Sequence, residues 1–212
     1  MSGAPPVFDP GFRAGLAALF QWRRDVRRFR TEPLPAGLLE RLLAVANGSP
    51  SVGLSQPWRF VLVEDAGRRA AIRANFEAAN GAALLGQGEA RAATYARLKL
   101  AGLEEAPVHL AVCVDPAPDA GGGLGRMTQP ETAAYSAVLA IGTLWLAARA
   151  EGVGLGWVSI LDPAAALLTL DVPGAWRLVA YLCLGYPAEE AAVPELERAG
   201  WEVRRGVDII RR

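Results

Sequence analysis

Residues 23–30 read Arg23-Arg24-Asp25-Val26-Arg27-Arg28-Phe29-Arg30. Five arginines surround one carboxylate, in a chain of 212 residues that is 52% hydrophobic and carries 22 basic and 22 acidic side chains. Because planar guanidinium groups bind phosphate and carboxylate oxygens in pairs, the stretch is typical of an anion site with an acid placed inside it. The alternative is a solvated basic turn.

The segment before the arginines predicts a helix that ends at Trp22. Four apolar residues share one face at helical spacing, which indicates a buried face: Phe12, Leu16, Leu19 and Phe20. Pro33 and Pro35 oppose a helix further on. The arginines therefore fall at a helix end and on the strand that leaves it, where their side chains can converge on one ligand.

The equal numbers of acidic and basic residues argue against a broad nucleic-acid or anionic-membrane surface. The N-terminus has no basic region followed by an apolar run, so we expect no secretory signal. Residues 133–150 form the most apolar long segment. They include Ser136, Thr143 and Arg149 and are too short for a membrane span, which indicates a buried core helix.

The cysteines and the single histidine lie in apolar runs. Cys113 and Cys183 are expected to be buried free thiols, which suits a reducing compartment and a cytoplasmic protein. His109 alternates with apolar neighbours on a strand, which favours a core role over catalysis. With one histidine and no metal-type cysteine spacing, we expect no metal site.

The remaining pattern predicts one domain over residues 1–212, with four strands and about six helices around a central sheet. The expected strands are Trp58–Glu64, Val108–Asp115, Gly152–Leu161 and Trp176–Tyr186. The expected helices after the first are Gly37–Asn47, Ala66–Asn80, Glu89–Leu103, Thr132–Glu151 and a short one from Asp162 to Leu170. We expect residues 1–10 to be flexible, Gly81–Gly88 to be a mobile glycine break, and the tail from about residue 187 to dock on a neighbouring subunit.

Two loops and one helix start carry further expectations. Residues 49–58 contain Ser51, Ser55 and Gln56, which suit the polar edge of a ligand, although an ordinary connector has the same composition. Pro116–Gly125 is rich in glycine and is either a lid over a site or a disordered surface loop. Thr128 to Glu131 match a capping box that begins a helix apolar on all sides, and such a helix often forms a subunit interface.

Several of these motifs together resemble the nitroreductase family. The family pattern begins Arg-Arg-Ser-x-Arg and continues Pro-Ser…Asn-x-Gln-Pro-Trp, while this chain has Asp25 in place of the serine. The motifs around Asp25, Ser55-Gln56-Pro57-Trp58, Lys99-Leu100 and Gly156-Trp157-Val158-Ser159 are similar to a narrower branch, the BluB family of 5,6-dimethylbenzimidazole synthases. That resemblance runs from about Phe20 to Arg204. Gln129 departs from it, since methionine is expected there.

The resemblance implies an α+β fold with a central, mostly antiparallel sheet flanked by helices, in an intertwined homodimer with FMN at the interface. In the narrower branch reduced FMN is the substrate. Dioxygen-dependent fragmentation converts it to 5,6-dimethylbenzimidazole, the lower ligand of vitamin B12, and erythrose 4-phosphate. NAD(P)H acts indirectly, through a separate flavin reductase.

The resemblance also assigns roles to residues. Asp25 and Ser159 are the expected catalytic residues, with Asp25 as the proton acceptor. The expected FMN contacts are Arg23, Arg24, Asp25, Val26, Arg27, Lys99, Leu100 and Ser159, together with Ser51, Ser55 and Gln56 from the partner subunit. A buried serine bonded to a neighbouring carbonyl is the alternative for Ser159.

Two other functions remain open from the sequence. One is an ordinary NAD(P)H-dependent nitroreductase or flavin reductase, in which FMN survives the reaction. The other is a flavin-storage protein with no turnover.

Overall fold

Four antiparallel strands form one sheet in the computed structural model, which describes residues 4–212 (Ala90 by its backbone alone). The strands are Trp58–Leu62 (β1), Val108–Val114 (β2), Gly154–Val158 (β3) and Arg177–Gly185 (β4). Their order is β1-β2-β4-β3, so β1 and β3 are the two edges. The α+β prediction and all four predicted strands are confirmed, with shorter bounds. On β1 the Trp58 side chain is buried, the next three are half-buried and Leu62 is exposed.

The described residues form seven α-helices. They are Pro10–Trp22 (α1), Leu38–Asn47 (α2), Ala66–Leu85 (α3), Glu89–Tyr95 (α4), Thr132–Ala150 (α5), Pro163–Leu170 (α6) and Glu195–Arg198 (α7). The predicted break at Gly81–Gly88 is wrong, since α3 continues through Gly81 to Leu85. One glycine costs a helix only about 1 kcal/mol, and the alanines and leucines that follow it are strong helix formers. The helix predicted to end at Leu103 ends at Tyr95.

The N-cap of α5 differs from the prediction, whereas its first residue, Thr132, agrees with it. Thr128 does not cap it; the helix begins at Thr132, after Glu131. The Thr128 hydroxyl donates to the Gly125 carbonyl (3.0 Å) and that of Thr132 to the Gln129 carbonyl (2.6 Å), so both serve the turns before the helix.

Two cores cover the two faces of the sheet. Helices α2 and α5 pack on one face and α3 and α6 on the other. By length and composition alone α5 could cross a membrane, but seven of its residues are buried against the sheet and α2. His109 is 1% exposed and its Nδ1 lies 3.0 Å from the Tyr181 hydroxyl, as a core role requires. Both cysteines are buried free thiols, and burial raises the pKa of Cys113 to about 11.

The predicted burial of α1 and of all sides of α5 is wrong for the single chain. Phe12 and Phe20 on α1 are about half exposed, at 51% and 53%. On α5, Tyr135 is 59% and Leu139 51% exposed. The physical reason is that α1 packs on α5 at the outside of the molecule, so each helix keeps an apolar face that no other element covers in this chain.

The tail from Pro187 docks first on its own chain. Phe29 forms an antiparallel bridge with Pro187, the Ala188 amide donates to the Arg28 carbonyl (2.9 Å), and Trp201 packs on Tyr95 with ring centroids 6.0 Å apart. Docking on a neighbour stays a prediction for the last ten residues, where Val207, Ile209 and Ile210 are exposed. Of the predicted flexible segment 1–10, residues 1–3 lie outside the described part of the chain.

Candidate active site

The arginine-rich stretch lies against the edge strand β3. Asp25 forms a parallel bridge with Leu155, and the Val26 amide donates to the Leu155 carbonyl (3.0 Å). Gly154 and Gly156 make this approach possible. A Cβ on Gly156 would overlap the Val26 carbonyl oxygen, and one on Gly154 would come within 2.8 Å of Val26 Cγ2. The glycines of the third strand thus place the whole stretch.

The Asp25 carboxylate is held on both oxygens. Its Oδ1 accepts a hydrogen bond from the Trp157 amide (2.8 Å). Its Oδ2 accepts from Arg27 Nε (3.1 Å) and pairs with Arg27 Nη2 (3.0 Å). The side chain remains 32% exposed, so a ligand in the adjoining cavity can reach it. The geometry gives a fixed carboxylate rather than a mobile one.

Arg27 extends the site to a segment 70 residues further along the chain. Its Nη1 donates to the Lys99 carbonyl (3.2 Å), while the Lys99 ammonium pairs with Glu105. Leu100 follows, half-buried. The structure therefore brings Lys99 and Leu100 to the arginines, as the expected site requires.

The other arginines of the stretch have different surroundings. Arg24 donates to the carbonyls of Arg23 (2.7 Å), Ala191 (3.2 Å) and Ala192, so it anchors the tail while it lines the adjoining cavity. Arg28 pairs with Glu195 of the tail (2.5 Å). The guanidinium of Arg23 lies over the ring of Trp145 at 4.9 Å, and no carboxylate oxygen of the described residues lies within 4.0 Å of it.

Arg204 is a site residue that sequence reasoning missed. It lines an open cavity of about 210 Å³ with Arg23, Asp25 and Arg27. Burial lowers the pKa of Arg24, and the positive charges of Arg204, Arg23 and Arg149 lower it further. Such a concentration of cations fits an anion. The adjacent basic pair Arg204-Arg205 in a polar tail was the available signal.

Ser159 is the first residue after β3 and is exposed, which excludes the buried structural serine. It lies two residues beyond Trp157, whose amide holds Asp25. At the rise of an extended chain this is about 7 Å. The structure thus places both expected catalytic residues along the same edge strand.

The loop with Ser51, Ser55 and Gln56 makes hydrogen bonds within itself. The Gln56 amide donates to Ser51 Oγ (3.0 Å), and the Ser55 hydroxyl donates to the Val52 carbonyl (2.7 Å). The Gln56 side chain donates to the Asn47 carbonyl (3.0 Å). This loop also packs on the glycine-rich segment: a Cβ on Gly53 would come within 2.9 Å of the Gly121 carbonyl oxygen.

The loop does not meet the arginines within one chain. It enters β1, whereas Asp25 lies on the outer side of β3, four strand spacings or about 19 Å away across the sheet. The two also lie at opposite ends of the sheet, because Trp58 is level with Arg177 at the start of β4 and Leu155 pairs with Leu184 near its end. One protomer therefore carries two separated halves of the expected site.

A family model for the nitroreductase family matches residues 20–186, which span the arginine stretch, the serine loop and all four strands. The chain belongs to the nitroreductase family. This agrees with the antiparallel sheet flanked by helices.

Three comparisons place this nitroreductase-family chain more closely. It is 58% identical over 207 residues to a Rhodospirillum rubrum protein named 5,6-dimethylbenzimidazole synthase, covering 98% of each chain. It is 46% identical to a Rhodobacter capsulatus protein of the same name, covering 92% of this chain and 94% of the relative. Among solved structures, iodotyrosine deiodinase bound to FMN and 3-iodo-L-tyrosine matches with a TM-score of 0.73 and 28% identity, over 92% of this chain and 97% of that one.

Proposed function

We propose that this protein is a 5,6-dimethylbenzimidazole synthase, which fragments reduced FMN with dioxygen to 5,6-dimethylbenzimidazole and erythrose 4-phosphate. One observation carries the proposal: 58% identity to a protein of that name over nearly the full length of both chains. Identity of this degree over nearly the whole of both chains favours a shared reaction over a shared fold alone. A separate flavin reductase using NAD(P)H supplies the reduced flavin, and the buried free thiols suit a cytoplasmic location.

The arginine-rich stretch and Arg204 suit the phosphate of FMN. Arg23 has no carboxylate partner among the described side chains, and Arg204 adds a second cation to the same cavity. Guanidinium groups bind phosphate oxygens through paired hydrogen bonds. Arg24 contributes by holding the tail that carries Arg204. Arg27 also lines this cavity and donates to the carbonyl of Lys99, which Leu100 follows.

When bound, reduced FMN supplies the electron-rich ring system that reacts with dioxygen. The chain supplies Asp25 as acceptor for a proton leaving the ribityl chain, because its carboxylate is fixed by Arg27 and the Trp157 amide and is partly open to the cavity. The Ser159 hydroxyl, exposed at the end of β3, offers a hydrogen bond to the ring.

A homodimer completes the site in this proposal. Ser51, Ser55 and Gln56 of one chain cannot reach Asp25 of the same chain across the sheet. A second copy packed on the exposed apolar faces of α1 and α5 brings its own loop to the arginines, which places the flavin at the interface.

The test is incubation of the protein with FMN, NADPH and a separate flavin reductase in air, with mass spectrometry for 5,6-dimethylbenzimidazole. Asp25→Asn keeps an oxygen acceptor for the Trp157 amide, so we expect it to bind FMN and to lose about a hundredfold or more in product. Ser159→Ala should behave similarly.

The matched control is Asp171→Asn, since Asp171 is 86% exposed and has the positive φ that asparagine tolerates. Full product yield from Asp25→Asn would contradict the role of Asp25. Absence of product from the wild type would contradict the function itself.

A nitroreductase or flavin reductase that leaves FMN intact is the second candidate. The observation that favours it is the double engagement of Asp25 by Arg27 and the Trp157 amide, which is also what a purely structural carboxylate shows. Steady NADPH consumption with a nitroaromatic substrate and undiminished flavin absorbance would support this candidate.

A further inference from the structure

Trp145 lies between the hydrophobic core and the arginine-rich stretch. It is on α5, between residues that are fully buried against the sheet: Ile141, Leu144 and Ala148. Its own side chain is half-buried and lines a second cavity, which shares Arg23, Arg24 and Asp25 with the cavity that Arg204 lines. Because Ile141, Leu144 and Ala148 are packed against the sheet, the helix holds the Trp145 indole in a fixed position.

The indole makes two contacts with the arginine stretch. Its Nε1–H donates to the Arg24 carbonyl oxygen at 3.0 Å, which fixes the peptide unit between Arg24 and Asp25. Its ring face lies under the Arg23 guanidinium, with 4.9 Å between Arg23 Cζ and the ring centroid. The Trp145 side chain thus fixes both the backbone of the arginine-rich stretch and the direction of the Arg23 guanidinium.

We propose that Trp145 is a positioning residue for phosphate recognition: it holds the Arg23 guanidinium in the geometry that binds the phosphate of FMN. The inference rests on the proposed flavin site. A free arginine side chain loses considerable conformational entropy when it binds an anion, and an arginine already stacked on an aromatic face loses less. Stacking also leaves the in-plane N–H donors of the guanidinium free for the ligand.

The proposal predicts a specific defect. Because Arg23 acts on the phosphate alone, loss of the Trp145 ring weakens FMN binding and leaves riboflavin, which lacks the phosphate, nearly unaffected. A merely structural role for Trp145 would weaken both ligands equally. The ratio of the FMN and riboflavin dissociation constants therefore separates the two roles.

The experiment measures both dissociation constants by flavin fluorescence for the wild type and four variants. Trp145→Leu and Trp145→Met remove the ring, and we expect a loss of about tenfold in FMN affinity with less than about twofold for riboflavin. Trp145→Phe keeps a ring under Arg23 and should retain most of the wild-type ratio. Tyr186→Leu is the matched control, since the Tyr186 ring lies 4.9 Å from Arg30 Cζ, an arginine outside the expected contacts.

An unchanged ratio in both ring-free variants overturns the proposal, as does an equal loss for both flavins. If Trp145→Leu does not fold by circular dichroism, Trp145→Met, which keeps the apolar volume, gives the answer. A wild type that prefers FMN but forms no 5,6-dimethylbenzimidazole contradicts the proposed function and leaves this inference standing. A wild type without preference for FMN contradicts the inference alone.

Discussion

Asp25 shows how one residue acquires a role from its surroundings. In the sequence it is a carboxylate among five arginines, but only one of them, Arg27, pairs with it in the structure. The backbone amide of Trp157, more than 130 residues away in the chain, holds its other oxygen. Charge-assisted hydrogen bonds of this kind fix direction as well as position. Within the stretch, Arg27 holds Asp25. Arg24 and Arg28 bind the tail, and the Arg23 guanidinium has no carboxylate partner among the described residues.

His109 carries a prediction about pH. Burial, followed by the charge of Arg69, lowers its pKa from 6.5 to about 4. The folded protein therefore favours the neutral ring, while the unfolded chain binds a proton near pH 6.5. The stabilisation that comes from keeping the His109 ring neutral is complete above pH 6.5 and is lost as the pH falls towards 4. The free energy of unfolding falls by about 3 kcal/mol in total.

His109→Gln keeps an acceptor for the Tyr181 hydroxyl and cannot titrate. We expect its free energy of unfolding, measured with urea at pH 7, 5.5 and 4.5, to fall less steeply than that of the wild type. Parallel curves for the two proteins would show that His109 does not titrate in this way.

At the scale of elements, β3 and the arginine stretch form one unit through Gly156. A methyl group there overlaps the Val26 carbonyl, so Gly156→Ala must separate the stretch from the strand and break the bond between Asp25 and the Trp157 amide. We expect a loss of stability of about 2 kcal/mol or more and loss of flavin binding.

Thermal melting and FMN titration measure both effects. Gly174→Ala is the matched control, because Gly174 lies in a loop with no atom within 4 Å of the added methyl group. Wild-type melting and FMN affinity in Gly156→Ala would contradict the described contact between the stretch and β3.

At the scale of the whole molecule, the exposed apolar faces of α1 and α5 and the separated halves of the site lead to the same expectation, a homodimer. Leu139 is 51% exposed on α5, so Leu139→Lys leaves the fold of one chain intact and places a charge in the expected interface. We expect light scattering to show a monomer, and FMN binding to be lost because Ser51, Ser55 and Gln56 of the partner are missing.

Leu168→Lys is the control, since Leu168 is 82% exposed on α6 at the opposite face of the sheet. A wild-type monomer, or a Leu139→Lys monomer with unchanged FMN affinity, would contradict the shared site.

Local signals in the sequence determined the strands, most helices and the buried character of Cys113, Cys183 and His109. Asp162 caps α6 and Gly48 follows α2, as their residue types indicate, because caps depend on neighbours in the chain. The N-cap of α5 and the length of α3 were not determined in this way, since a threonine hydroxyl can serve a turn as well as a cap, and a single glycine costs a long helix little.

The arginine stretch itself, with its residue types and its place after α1, was determined by the sequence. Which arginine pairs with Asp25, which one anchors the tail, and which one lies over Trp145 was decided only by the tertiary structure. The physical reason is that each of these partners comes from a segment distant in the chain, such as Lys99, Trp145, Trp157, Ala191 or Arg204. Local chemistry specifies what a residue can bind, and the packing of distant elements selects what it does bind.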